Sequence, residues 1–150
     1  MLFLLFYVGS ERYVCDSQHI LEVVPNVRLK NLPHTPPYIA GLLNLGGTPI
    51  PVIDFCQLIE GRPARLSMHT RIMILSDNRV DDQPRILGIR GEKITETMDR
   101  ELNDFTDPGV LIEDLPFLAG ILSDPEGMIR LINVTELFNS MEPVLFFKEL

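Results

Sequence analysis

The sequence is sparing with the side chains from which active sites are commonly built, and its cations are outnumbered. Two cysteines and three histidines are scattered over 150 residues. Cys15 and Cys56 are too few for a disulfide framework and do not form a CxxC pair, which points to a reducing compartment. His19, His34 and His69 show no metal-ligand spacing. Thirteen basic against twenty-one acidic side chains leave a net charge of −8. Such a surface repels phosphate backbones and anionic lipid heads, and speaks against a nucleic-acid partner. No apolar run approaches the ~20 residues that cross a bilayer as a helix, so direct membrane insertion is not expected. Residues 1–8 are apolar, yet they lack a basic flank and are broken by Gly9-Ser10-Glu11-Arg12. They read as a buried first strand rather than a signal segment, and a cytoplasmic location is the expectation.

What is present is the balance of a folded protein. Hydrophobic residues make up 45% and charged residues 23% of the chain, enough for one well-buried unit or two small fused barrels at this length. The chain also resembles itself. Pro37-Tyr38-Ile39-Ala40-Gly41-Leu42-Leu43 matches Pro116-Phe117-Leu118-Ala119-Gly120-Ile121-Leu122 without a gap, at an offset of 79. At that same offset Ile50, Val52, Ile53, Asp54, Phe55, Leu58 and Ile59 meet Ile129, Leu131, Ile132, Asn133, Val134, Leu137 and Phe138. Each second block is an apolar strand ending in Asp54 or Asn133, whose side-chain oxygens suit the free N–H groups that open a helix. The apolar residues one, four and five positions past the cap fall on one helix face. Glu136 sits where a capping-box carboxylate would. Two similar subdomains in one chain are implied, although the segments before Pro37 and Pro116 match poorly.

Most of the remaining pattern is strand. Residues 3–7, 12–15, 27–30, 71–76 and 85–89 are short apolar or alternating runs bounded by turn formers, a spacing that suggests barrels. Residues 16–25 read as a capped helical turn ended by Pro25, with Ile20, Val23 and Val24 pointing inward. Residues 61–67 and 77–84 read as loops, and residues 102–114 as an acidic, irregular connection. The apolar tail, residues 143–147, should either pack back onto a barrel, the favoured reading, or meet a partner.

An enzyme or ligand-binding domain using a Cys or His site is the alternative reading, and it requires these side chains to converge. Cys15 and His19 are four apart, but nothing in the sequence joins them, and a buried thiol is the default. Asp54 reads as a cap rather than an acid, since Asn133 fills the matching place without a titratable group. Gly41, Gly46 and Gly47 are followed by no Lys-Ser or Lys-Thr pair, which excludes a phosphate loop. Gly46-Gly47 instead reverses the chain into residues 48–53, where Pro49 and Pro51 mark an edge or a strand beginning. No catalytic, cofactor-binding or metal-ligating residue is assigned.

The stretch Ile39-Ala40-Gly41-Leu42-Leu43-Asn44-Leu45-Gly46-Gly47-Thr48-Pro49-Ile50-Pro51-Val52-Ile53-Asp54-Phe55 resembles the signature of CheW domains, with its G-x-x-N-x-R-G core and P-V-I-D ending. Similarity extends from Phe3-Leu4-Leu5-Phe6 through Ile20-Leu21-Glu22-Val23 to residues 128–137. The resemblance implies a mainly β fold of two five-stranded SH3-like barrels with a few short helices and a shared apolar core. Residues 1–150 then form a single domain of two intertwined subdomains. It also implies a non-enzymatic adaptor, without cofactor, that binds a chemoreceptor cytoplasmic tip and the regulatory domain of a CheA-type histidine kinase at membrane-bound receptor arrays. By position, Ile20 and Glu22 resemble part of the receptor-facing groove, while Gly41, Asn44, Gly46 and Gly47 carry the signature. Gly46 stands where the family usually has an arginine, which by the resemblance removes a cation near Glu22 and suggests a coupler dedicated to one receptor–kinase system. The compact start and apolar tail look similar to auxiliary CheW-like members of surface-sensing Wsp-type pathways.

Overall fold

The computed structural model describes residues 1–78, 84–110 and 114–145. Among these the chain forms nine strands, two α-helices and two 3-10 turns. A hairpin of β1 (Leu2–Val8) and β2 (Glu11–Asp16) leads through a 3-10 turn at Ser17–His19 into β3 (Ile20–Pro25). The hairpin β4 (Ile39–Leu45) and β5 (Thr48–Asp54) follows, then α1 (Phe55–Glu60), β6 (Arg71–Asn78) and the long β7 (Pro84–Asp99). After a second 3-10 turn at Leu102–Asp104 come β8 (Leu118–Asp124), β9 (Gly127–Ile132) and α2 (Val134–Met141).

The ladders fall into two sets of five strands that share β7. One runs β3–β6–β7–β5–β4 and the other β7–β1–β2–β9–β8. Residues 84–91 of β7 pair with β6, and Glu92 and residues 96–99 pair with β1 across a register shift. In both sets the pairings run antiparallel, antiparallel, parallel, antiparallel in that order. The mainly β class and the two five-stranded subdomains are therefore as the resemblance implied.

The repeat is reproduced at the level of single hydrogen bonds. β4 and β8 begin at Ile39 and Leu118, β5 and β9 at Thr48 and Gly127, and the helices at Phe55 and Val134, all 79 apart. Asp54 N–H donates to Tyr38 O at 2.8 Å, and Asn133 N–H donates to Phe117 O at 2.8 Å. Asp54 Oδ1 accepts the N–H groups of Cys56 and Gln57, and Asn133 Oδ1 accepts that of Glu136, so both residues cap their helices. The reciprocal bond from the Glu136 carboxylate is not formed. The copies cease to match outside these blocks for a topological reason. The hairpin that completes the first set, β6–β7, follows α1, whereas its counterpart β1–β2 comes from the other end of the chain.

Strand alternation distributes the apolar side chains among three clusters. Ile72 and Ile74 of β6 join Leu43, Ile50 and Val52 inside the first set, while Phe3 and Leu5 of β1 join Val14 and Ile129 inside the second. The opposite faces of the same strands, with Met73, Leu75, Phe6 and Val8, meet Ile53, Phe55, Phe117, Ile132 and Phe138 in a large core between the sets. Strands buried on both faces explain the unbroken run Ile72-Met73-Ile74-Leu75, none of which is more than 1% exposed.

Several expectations need correction. The turn after Asp16 spans only Ser17–His19, with Asp16 accepting from Gln18 N–H, and residues 20–25 are strand. Their spacing of Ile20, Val23 and Val24 imitates a helix, but pairing with β6 prevails. Val23 is accordingly exposed, while Ile20 and Val24 are half-buried against different clusters. Residues 27–30 form no strand; only Lys30 pairs, in an isolated bridge to Leu42. The strand expected to end at Ile89 continues to Asp99. The acidic connection after it contains the 3-10 turn and a bridge from Thr106 to Ile121. In the tail, Val144 and Leu145 pack on the large core; Phe146 and Phe147 lie outside the described residues, as do residues 79–83 of the expected 77–84 loop and 111–113.

Candidate functional site

The signature hairpin is built around two glycine requirements of different kinds. Gly41 is buried at a register shift in the β4–β5 ladder with φ of +143°. A Cβ there would lie 2.5 Å from Lys30 O and 3.0 Å from Leu29 Cβ. The closeness serves the bridge in which Lys30 and Leu42 exchange N–H···O bonds of 2.9 and 2.8 Å, bringing the segment after β3 against the outer side of β4. Gly46 and Gly47, at φ of +57° and +92°, make the two-residue turn between Leu45 and Thr48. Asn44 Oδ1 accepts Gly47 N–H at 2.8 Å and holds the turn. A Cβ at Gly46 would meet nothing within 4 Å, so the position faces open space, although its φ favours glycine.

Ile20 and Glu22 lie on β3, at the opposite end of the ladder β3–β6–β7–β5–β4 from this hairpin. Gly41, Asn44, Gly46 and Gly47 are thus brought together in one hairpin. Ile20 and Glu22 share a second strand, and β3 and β4 are not hydrogen-bonded to each other. Ile20 packs in part against the large core. A register shift between Ile20 and Glu22 leaves Leu21, Glu22 and Val23 all exposed. The Glu22 carboxylate makes no hydrogen bond or ion pair among the described residues. Leu21, 57% exposed, was hidden from sequence reasoning by the helical spacing of its neighbours.

Charged clamps bind the two sets together beside the large core. Glu92, where β7 passes from one set to the other, accepts from Gly9 N–H at 2.8 Å, Arg65 N–H at 2.6 Å and the Arg62 guanidinium at 3.2 and 3.3 Å. Burial alone raises the pKa of Glu92, but Arg62 and the two N–H groups outweigh it and hold the carboxyl below its usual range. At a second junction buried Arg85 of β7 binds Asp77 of β6 and reaches Asn139 and Glu142 around α2, while Thr135 Oγ1 donates to Asp77. Within the second set, the Arg12 guanidinium pairs with Asp124 through both oxygens, at 2.8 and 2.5 Å, and pulls that carboxyl down to about 2.

The Cys and His side chains do not converge. Cys15 and Cys56 are buried, and burial pushes both thiols up to about 12, far from a nucleophilic range. His19 Nδ1 lies 3.1 Å from Ser76 O, while His34 and His69 are exposed on separate loops. Among the described residues no group of three or more His, Cys, Asp or Glu is placed to hold a metal ion. Nor is any helix there long and apolar enough to cross a membrane.

Residues 2–142 match the family model described as the CheW-like domain. The chain is 26% identical over 136 residues to chemotaxis protein CheW of Helicobacter pylori, covering 90% of this chain and 79% of that protein. It is 24% identical over 149 residues to chemotaxis protein CheW of Klebsiella aerogenes, covering 95% and 84%. Among solved structures it is similar to the scaffolding protein TtCheW from Thermoanaerobacter tengcongensis, with a TM-score of 0.75, 27% identity and coverage of 89% and 84%. A match over nearly the whole length, with the two-subdomain fold and the signature hairpin in place, is decisive: the chain belongs to the CheW-like domain family, and is a non-catalytic chemotaxis scaffolding protein of the CheW type.

Proposed function

We propose that this protein is the adaptor that joins the cytoplasmic tip of a chemoreceptor to the regulatory domain of a CheA-type histidine kinase. It acts in the cytoplasm, at membrane-bound receptor arrays, and binds without consuming anything. Regulation follows from differential binding: whichever receptor–kinase geometry the adaptor holds better is the one it populates. The observation that carries this reading is the surface of β3, where, among the described residues, Glu22 has no partner, its neighbours Leu21 and Val23 are exposed, and the strand is paired only to β6. An edge strand that exposes a carboxylate and, next to it in the chain, two apolar residues is suited to a partner offering a cation and an apolar contact. Ile20 fixes that strand from beneath, and the Asn44-Gly46-Gly47 turn forms the second contact region, with Gly41 setting the hairpin's shape. Gly46 in place of arginine favours a dedicated receptor–kinase system. Residues 1–150 work as one unit, since the subdomains share β7 and a core.

Kinase autophosphorylation with a cognate receptor fragment, with and without the adaptor, tests the reading. The wild type raises the rate, and Glu22→Ala raises the adaptor concentration needed by up to roughly fivefold, the range of an exposed ion pair. A folded wild-type protein that binds neither receptor nor kinase and leaves the rate unchanged refutes it.

A further inference from the structure

A separate surface begins where β3 ends. Two shallow depressions adjoin there and share Asn26 and Leu66 in their walls. One, of about 560 Å³, is lined by Pro25, Leu66, Met68 and Arg71 among others; the second, of about 380 Å³, by Val27, Arg28, Ala40, Leu66 and Arg90. Leu66 is 78% and Met68 81% exposed, and Val27 is exposed beside them. Large apolar side chains grouped in this way on a surface mark an interaction site rather than ordinary scatter.

The loop that presents them is held in place. Ala64 N–H donates to Asp54 Oδ2 at 2.9 Å and Arg65 N–H to Glu92 Oε2 at 2.6 Å. Beyond Leu66, Ser67 N–H donates to Thr70 Oγ1 and His69 N–H to Ser67 Oγ, while the Thr70 hydroxyl donates back to Arg65 O. Leu66 and Met68 are thus displayed by a fixed backbone, so a partner that covers them orders little of the loop.

Charge decides what the partner is. In a protein of net charge −8, neither depression has an Asp or Glu in its lining, and together they contain three arginines. Arg28, and Arg65 next to Leu66, have no carboxylate partner among the described residues. Arg90 is paired with Asp54, whereas Arg71 bonds only the Ile94 carbonyl oxygen, so among the described residues Arg28 and Arg71 keep uncompensated charge in the lining and Arg65 adds a third cation next to Leu66 in the chain. A concave apolar floor with a basic rim fits the apolar face of a negatively charged polypeptide. A flat anionic bilayer would meet the protein's overall negative charge and fill the depressions poorly.

We propose that this groove docks an acidic amphipathic polypeptide segment, at a place distinct from the exposed strand around Glu22. The test titrates the 15N-labelled full chain with a synthetic peptide of about five helical turns, leucines on one face and glutamates on the other. A second peptide has lysine in place of every glutamate, and phosphatidylglycerol vesicles form the third arm. The acidic peptide shifts the amide signals of residues 26–29 and 65–71. Leu66→Ser with Met68→Ser weakens it at least about tenfold, as does Arg28→Glu with Arg65→Glu, while Glu22→Ala leaves it unchanged. The replaced side chains lie at the surface, so the variants keep the wild-type amide spectrum elsewhere. The proposal is overturned if the acidic peptide moves no signal in these residues, if the lysine peptide binds as well, or if Glu22→Ala abolishes binding. Vesicle binding that depends on Leu66 and Met68, without peptide binding, replaces the segment with a lipid surface. Because the readout contains no kinase or receptor, its failure leaves the coupling function standing, and the failure of coupling leaves this result standing.

Discussion

Replacing Gly41 by alanine introduces one methyl group at the point where the segment after β3 closes against β4. The new Cβ would lie 2.5 Å from Lys30 O, a backbone atom that cannot rotate away, and the residue would have to keep φ at +143°. A non-glycine residue in such a region costs about 1–3 kcal/mol. Relief requires Lys30 to withdraw, which breaks both hydrogen bonds of the bridge to Leu42, at about 0.5–1.5 kcal/mol each. The expected loss is about 4 kcal/mol, a large part of the 5–15 kcal/mol typical of a domain. Urea unfolding followed by far-ultraviolet circular dichroism should show it as a fall of about 2 M in the midpoint. The repeat supplies an internal control. A Cβ at Gly120 would sit 3.2 Å from Phe105 Cβ and 3.4 Å from Thr106 O, contacts that small shifts relieve, so Gly120→Ala costs about 1 kcal/mol. Equal losses at the two positions, or a loss under about 1 kcal/mol at Gly41, would show that the close approach does not govern stability.

Two further perturbations probe the charged clamps. Arg85→Leu leaves Asp77 buried without its cation and should cost about 3–5 kcal/mol in the same urea titration, part of which Asp77→Asn in the same chain restores; a single variant as stable as the wild type refutes the clamp. Asp124 is held near 2 in the folded chain against an ordinary 3.8, and Glu92 is also lowered. Both depressed carboxyls stabilise the fold above pH ~4, and that contribution disappears as the pH falls through their folded values. Midpoints measured from pH 5 to pH 2 should therefore decline, with a shallower decline for Asp124→Asn; an unchanged slope in that variant excludes the Arg12 pair as a source.

The parts of the fold legible in the sequence are those where local chemistry and tertiary demand agree. Asp54 and Asn133 cap helices because a short carbonyl-bearing side chain after a strand has few better uses, and a second copy 79 residues away exposed the pattern. β3 was misread because Ile20, Val23 and Val24 satisfy a helical spacing, and pairing with β6, 50 residues downstream, overrides it. The second half of β7 was missed because Arg90-Gly91-Glu92-Lys93 interrupts the apolar run. Those polar residues serve Asp54 and the Glu92 clamp, partners remote in sequence. For the site, the signature hairpin was legible as turn chemistry. The exposure of Leu21 and Val23, and the groove around Leu66 and Met68, depend on which neighbours fold over them, and a single sequence does not state that.

Strand β7 bears a further consequence. Residues 84–91 finish one ladder and residues 92–99 open the other within one continuous strand, and the changeover is marked by a register shift after Glu92, where Lys93 takes a φ of +51°. The two subdomains are thus joined by a strand and a shared core rather than by a linker, and the one irregularity between them lies beside the Glu92 clamp.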